Sequence, residues 1–94
     1  MLFCLTCIDK PNALDLRLAN RDAHLAYWGD AGCVKIGGPF ISDDGEAMQG
    51  SMLVIDVEDR DKAEQLVAND PYTKAGLFQS TDIRAWRWLL KETA

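Results

Sequence analysis

Residues 33–57 read CVKIGGPFISDDGEAMQGSMLVIDV, and their reading decides the fold. Cys33 to Ile41 reads as a strand, interrupted by Gly37-Gly38-Pro39. Ser42 to Gln49 is polar and contains a glycine, and Gly50 to Val57 is a second apolar run. Two strands joined by a short polar loop make a hairpin, so the middle of the chain is antiparallel. Glycines inside the first of these strands predict a bulge, or a close approach to the backbone by something else.

Upstream of the hairpin, Leu2 to Ile8 is a short apolar run that stops at the turn cluster Asp9-Lys10-Pro11-Asn12, and it reads as the first strand. Asn12 is placed to cap a helix, with Asp15 in the capping-box position. Leu14, Leu18, Leu25 and Trp28 recur at helical spacing, which predicts a helix from about Ala13 to Ala31 with Gly32 as its stop. Downstream, Asp59 can cap a second helix over Arg60 to Ala68, with Ala63, Leu66 and Val67 inward. Asn69-Asp70-Pro71 breaks it, and Pro71 starts a short turn reaching Gly76. Leu77 to Trp88 is the last strand, with Ile83, Ala85 and Arg87 expected on one side and Arg84, Trp86 and Trp88 on the other. The order is β-α-β-β-α-β, a ferredoxin-like α+β domain with an antiparallel sheet and both helices on one face. No linker or low-complexity segment interrupts residues 1–94, so one domain is expected. The other sheet face, with its tryptophans, would be left in water by a lone copy. A symmetric homodimer with facing sheets is the simplest cover.

The totals narrow the classes of function. The chain has 94 residues, a formal net charge of −5 and a pI near 4.6. A general nucleic-acid binder needs a basic face for phosphates, and an anionic membrane surface makes the same demand. Neither partner is expected. No apolar run is long enough to span a bilayer. Met1 to Ile8 lacks a basic leader and runs straight into Asp9 and Lys10, so it reads as a strand, not a signal peptide. Cys4, Cys7 and Cys33 are an odd set with no export signal, which points to reduced thiols and a cytoplasmic protein. Cys4 and Cys7 match C-x-x-C, but residues three apart in a strand point to opposite faces, and a disulfide between them is not expected.

Chemistry concentrates on the first helix. Arg17, Arg21, His24 and Trp28 follow at spacings of four, three and four, so they share a stripe beside the leucines. Asp70, at the end of the second helix, is a candidate partner for the only histidine, since a carboxylate orients an imidazole and fixes its tautomer. The competing reading is a surface histidine beside solvated arginines. Gly37-Gly38-Pro39 would let a ligand approach the backbone, or would merely bend the strand. Gly50-Ser51 would offer a hydroxyl and an amide to an anion, or would be a strand-entry turn. Ser42-Asp43-Asp44-Gly45-Glu46 lacks the ligand spacing of a calcium loop and reads as a solvated turn. No nucleotide fingerprint occurs, and one histidine with scattered cysteines makes no zinc pattern. No metal or organic cofactor is expected.

Taken together, several segments resemble the YCII-related (YciI-like) family. They are Leu16-Arg17-Leu18 with Arg21-Asp22-Ala23-His24-Leu25, then Gly37-Gly38-Pro39, then Gly50-Ser51, and last Asn69-Asp70-Pro71-Tyr72 with Ala75-Gly76. Their order and spacing span nearly the whole chain. The resemblance implies a dimeric α+β barrel and an active site built on a His–Asp pair, here His24 and Asp70. A branch of the family is associated with dehydrochlorination of chlorinated hydroxyhydroquinones in aromatic degradation. The expectation is acid–base chemistry on a small cyclic or aromatic substrate. In it neutral His24 moves a proton, Asp70 holds His24, and Arg17 or Arg21 balances an anion. Gly38, Pro39, Ser51 and Tyr72 are expected around the substrate. A non-catalytic ligand-binding or interaction domain is the alternative, and haem bound through His24 in an open apolar cavity is a third.

Overall fold

The computed structural model describes residues 1–92. Its elements run β1 (Leu2–Asp9), α1 (Leu14–Ala31), β2 (Val34–Ile41), β3 (Met48–Asp56), α2 (Arg60–Ala68), α3 (Pro71–Lys74) and β4 (Phe78–Trp86). The four strands form one sheet in the order β2-β3-β1-β4, every pair antiparallel. This is the β-α-β-β-α-β order read from the sequence, with α3 as a single extra turn.

Burial alternates along β1 because the helices pack on one face of the sheet. In β1, Phe3, Leu5 and Cys7 are buried while Cys4 and Thr6 are only half-buried. Leu5 lies opposite Leu53 on one side and Ile83 on the other. With Phe3 and Ile55 they meet Trp28 of α1 and Ala63 and Val67 of α2 in a single core, so both helices cover this face. Full burial of a side chain the size of Ile55 or Leu5 is worth about 1.5–3 kcal/mol. Asp59 caps α2 by accepting a hydrogen bond from the Lys62 N–H at 2.9 Å. On the opposite face Ile8, Ile36 and Trp86 are exposed.

Several local expectations are corrected. Asn12 does not cap α1: it takes a left-handed turn, φ 58°, and Ala13 occupies the cap with no side-chain bond. The inward side of α1 is the Arg17, His24 and Trp28 stripe, while Leu14, Leu18 and Leu25 on its flank are 41–52% exposed. The strand irregularities do not fall at Gly37-Gly38. They leave Lys35, Gln49 and Gln79 as extra residues in β2, β3 and β4. Gly37 has a packing reason instead, since a Cβ there would collide with Leu53 Cδ2. Gly50 has another, because its Cβ would run into the Cys7 carbonyl oxygen of the neighbouring strand. β4 stops at Trp86, not Trp88. Trp86 pairs with Leu2, the first residue of β1, so residues 87–92 have no partner strand.

Cys4 and Cys7 are free thiols on opposite faces of β1. Burial pushes the Cys7 thiol up to about 12, helped by Asp70 and Asp9 and opposed by Arg17. Cys7 therefore stays protonated in the folded chain where an unfolded thiol, near 8.5, has ionised. Its stabilising contribution is complete below about pH 8.5 and is lost as pH rises toward 12. The loss approaches about 1.4 kcal/mol per pH unit inside that window. Urea denaturation between pH 8 and 11 is expected to show a falling stability whose slope is reduced in Cys7→Ala; equal slopes would contradict it.

Candidate functional site

The helical stripe dictates the site. Positions 17, 21, 24 and 28 stack along one side of α1, which places Arg17, His24 and Trp28 against the sheet and leaves Arg21 at the border with solvent. Two buried networks result.

The first is built on Asp70. The chain leaves α2 at Asn69, and Asp70 becomes the N-cap of α3 with extended backbone angles, φ −60° and ψ 131°. Pro71 follows at the first helical position, where its missing N–H does no harm. The carboxylate accepts from the Tyr72 backbone N–H at 2.9 Å and from Trp28 Nε1–H at 3.0 Å. His24 Nδ1 lies 2.8 Å from Asp70 Oδ1 and 3.1 Å from Oδ2. A carboxylate offers only lone pairs, so in the neutral imidazole it selects the tautomer with hydrogen on Nδ1, which leaves the lone pair on Nε2. Tyr72 stacks on the imidazole at a centroid distance of 3.9 Å and 16° between planes, while Phe78 meets Tyr72 edge-on. His24 and Asp70 are 7% and 3% exposed, so the reading of a surface histidine is corrected.

The second network is built on Arg17. Its Nε donates to Asp9 Oδ2 at 2.7 Å and its Nη2 to Asp9 Oδ1 at 3.0 Å, a two-pronged fork with both side chains buried. Nη2 also donates to Ser51 Oγ at 2.9 Å, and Nη1 reaches Tyr72 Oη at 3.5 Å. The guanidinium carbon stands 4.7 Å from the Tyr72 ring centre. Burial opposes the Arg17 charge, but the hydrogen bonds and the charge of Asp9 outweigh it and hold its pKa above the ordinary value. Burial also raises the Tyr72 hydroxyl, against the pull of Arg17 and Arg21. Arg17 is thus not one of two solvated arginines, and its charge is already matched. Arg21 is exposed and joins no ion pair among the described residues.

Between α1 and the β2–β3 hairpin lies a cavity of about 270 Å³. His24, Arg17, Arg21, Ser51 and Tyr72 reach it, as do Gly37, Gly38 and Pro39 of β2. Leu25, Trp28, Val34, Met48 and Leu53 give it a largely apolar wall. Its size falls just under the range of about 300–1,000 Å³ for drug-sized ligands, which suits a single ring. Every residue named from the sequence as a site candidate thus borders this cavity or, for Asp70, holds a residue that does. Asp9 and the Trp28 indole N–H were not identified from the sequence. An aspartate directly after an apolar strand, eight residues before an arginine, was the available signal for the first; nothing marked the second. Met48 also went unmarked, because only the extra residue Gln49 turns it toward the helices. Among the described residues no three His, Cys, Asp or Glu side chains gather as a metal site. No helix is long and apolar enough to cross a membrane.

The family model of the YCII-related domain matches residues 1–87. Protein YciI of Escherichia coli O6:H1 is 30% identical over 93% of the chain and 97% of its own length. Among solved structures, the 5-chloro-2-hydroxyhydroquinone dehydrochlorinase TftG of Burkholderia phenoliruptrix AC1100, in complex with 2,5-dihydroxybenzoquinone, superimposes with a TM-score of 0.85. It is 38% identical, over 93% of this chain and 94% of that one. An antibiotic biosynthesis monooxygenase, 14% identical with a TM-score of 0.58 over 96% of this chain and 100% of that one, shares the fold alone.

Proposed function

The chain belongs to the YCII-related family, and from that premise we propose that it is a cofactor-independent enzyme of acid–base chemistry on a small hydroxylated ring. A (chlorinated) hydroxyhydroquinone is the substrate we favour, and dehydrochlorination the reaction. The observation that carries this reading is the orientation of His24. Nδ1 is held by Asp70, and Nε2 has no hydrogen-bond partner among the described residues while its ring borders a cavity of single-ring size. A purely structural histidine has no need of an open nitrogen there. The TftG likeness supports the substrate class.

In this mechanism Nε2 takes the proton of a ring hydroxyl, and Asp70 stabilises the imidazolium that forms. The proton is returned to the chlorine-bearing ring carbon, giving a keto tautomer. A second hydroxyl, para to the new ketone, then gives its proton to His24. Its O–H bonding pair becomes the C=O bond, the ring double bond shifts, and chloride departs with the C–Cl pair. One proton and one chloride leave, and the ring reaches the quinone level without an external oxidant. Arg21 balances the anionic ring at the cavity edge, since the charge of Arg17 is already matched by Asp9. Gly38, Pro39 and Tyr72 shape the walls.

The test is a turnover and thermal-shift screen of the purified protein against hydroxyhydroquinones, quinones and small phenols. Chloride release from 5-chloro-2-hydroxyhydroquinone is expected, with Arg21→Ala raising KM more than it lowers kcat. A screen with neither turnover nor stabilisation by any ring would favour the non-catalytic alternative. We further propose that the protein is a cytoplasmic homodimer, its exposed Ile8, Ile36 and Trp86 covered by the sheet of a second copy. Light scattering at micromolar concentration should report the dimer mass; a monomer mass would remove this arrangement.

A further inference from the structure

The Ser51 hydroxyl has a direction that its neighbours impose. An arginine N–H can only donate, so in the 2.9 Å contact with Arg17 Nη2 the serine oxygen is the acceptor. Arg17 cannot turn away, because its Nε and Nη2 are forked onto Asp9. Among the described residues, Ser51 Oγ donates to no acceptor of the protein; the Arg17 contact is its one side-chain hydrogen bond. Yet Ser51 is 4% exposed and borders the cavity. A buried hydroxyl hydrogen without a partner is costly, and here the cavity is the place left for its acceptor.

We propose that Ser51 is a dedicated hydrogen-bond donor to an oxo or oxido group of the ligand, polarised by the Arg17 charge behind it. This rests on the reading of His24 above and deepens it. The cavity then carries an acceptor at His24 Nε2 and a one-way donor at Ser51. Such a pair recognises a ring with an acidic O–H or C–H at one position and, at another, an oxygen on which negative charge develops. With a hydroxylated quinone or an enolisable ring ketone, the electron pair left when His24 removes the proton delocalises onto the conjugated carbonyl oxygen held by Ser51. The donor serves that oxygen more strongly as its charge grows, which is what lowers a barrier rather than merely tightening ground-state binding. A ring lacking an oxygen at that point would leave the serine hydrogen unpaired and be rejected. The class selected is hydroxylated quinones and the enolisable ring ketones related to them.

The probe is 2,5-dihydroxybenzoquinone, whose ionised form is coloured, so that binding and ligand environment are read together. The wild-type chain should bind it and shift its visible band. Ser51→Ala should bind about 10- to 100-fold more weakly, in line with a hydrogen bond to a charged group, and the band of the residual complex should move. Ser51→Thr, which restores the hydroxyl, should recover both affinity and band position. Ser51→Cys, with a similar volume and a much weaker donor, gives the same comparison if the alanine variant folds poorly. Affinity within twofold of wild type and an unmoved band in both Ser51→Ala and Ser51→Cys would overturn the inference. His24→Ala separates the two ideas. Weaker binding in that variant with full binding in Ser51→Ala leaves the His24 reading standing and removes the donor. The reverse pattern keeps the donor and removes His24 from the site. No binding by the wild-type chain overturns both.

Discussion

Turnover is expected to fall by about 10²–10⁴ in His24→Ala and by a similar factor in Asp70→Asn, the range for losing one general acid–base group. The two variants fail for different reasons. His24→Ala removes the base but leaves Asp70 to cap α3 and to accept from Trp28. Asp70→Asn keeps the imidazole but replaces a two-oxygen acceptor with one oxygen and an NH2 group. That NH2 can donate to Nδ1, which favours the tautomer with hydrogen on Nε2 and takes away the lone pair that does the work. The asparagine also leaves one of the three donors around residue 70 short of an acceptor, so a stability loss of about 1–3 kcal/mol is expected beside the kinetic one. The measurements are steady-state kinetics over a range of pH and chemical denaturation of both variants. Parent-like turnover in His24→Ala would return the histidine to a packing role.

Asp9→Ala is expected to destabilise the fold by about 3–5 kcal/mol, because it strands the buried Arg17 charge without its partner. Arg17 is 3% exposed and the Asp9 side chain 6%, so water replaces the lost carboxylate poorly. Against a total stability of about 5–15 kcal/mol for a domain, this is a large fraction. The double replacement Asp9→Leu with Arg17→Met removes both charges and should recover most of the loss, since a buried ion pair repays its desolvation poorly. Urea midpoints for the parent, the single and the double variants decide this. A single variant within 1 kcal/mol of the parent, on the scale of the about 0–1 kcal/mol of a surface pair, would mean that the pair is solvated in solution. Ligand binding should not return in the double variant even where stability does, because Ser51 loses the donor that orients it.

The element order was legible because it depends on local signals. Turn clusters at residues 9–12, 42–49 and 69–71 separate apolar runs of strand length from segments with helical spacing, and each signal acts over a few residues; the structure starts β3 two residues earlier, at Met48. The Asp59 cap belongs to this class: the sequence marks it and the structure forms it. Asn12 shows the limit. Its residue type favours a cap and a left-handed turn equally, and the path from β1 into α1 selects the turn.

The inward side of α1 was less legible. A count of leucines points to Leu14, Leu18 and Leu25, yet these are exposed and the buried stripe carries an arginine and a histidine. Hydrophobicity ranks residues by the cost of burial without partners, and Arg17 and His24 have partners: Asp9, 8 residues away, and Asp70, 46 residues away. Family resemblance named His24 and Asp70 together, but their 2.8 Å contact needs α3 to start where α2 ends and to lie against α1.

By itself the sequence determined the order of the elements, the hairpin at the centre, the sign of the net charge and the chemical kinds of group available. Only the tertiary structure decided which arginine keeps a free charge, which nitrogen of His24 is open and which way the Ser51 hydroxyl points. The reason is that strand and helix periodicities are set by neighbours a few residues apart. The tautomer of an imidazole and the direction of a hydroxyl are set instead by donors and acceptors that only folding brings within 3 Å, as Asp70 and Arg17 are here.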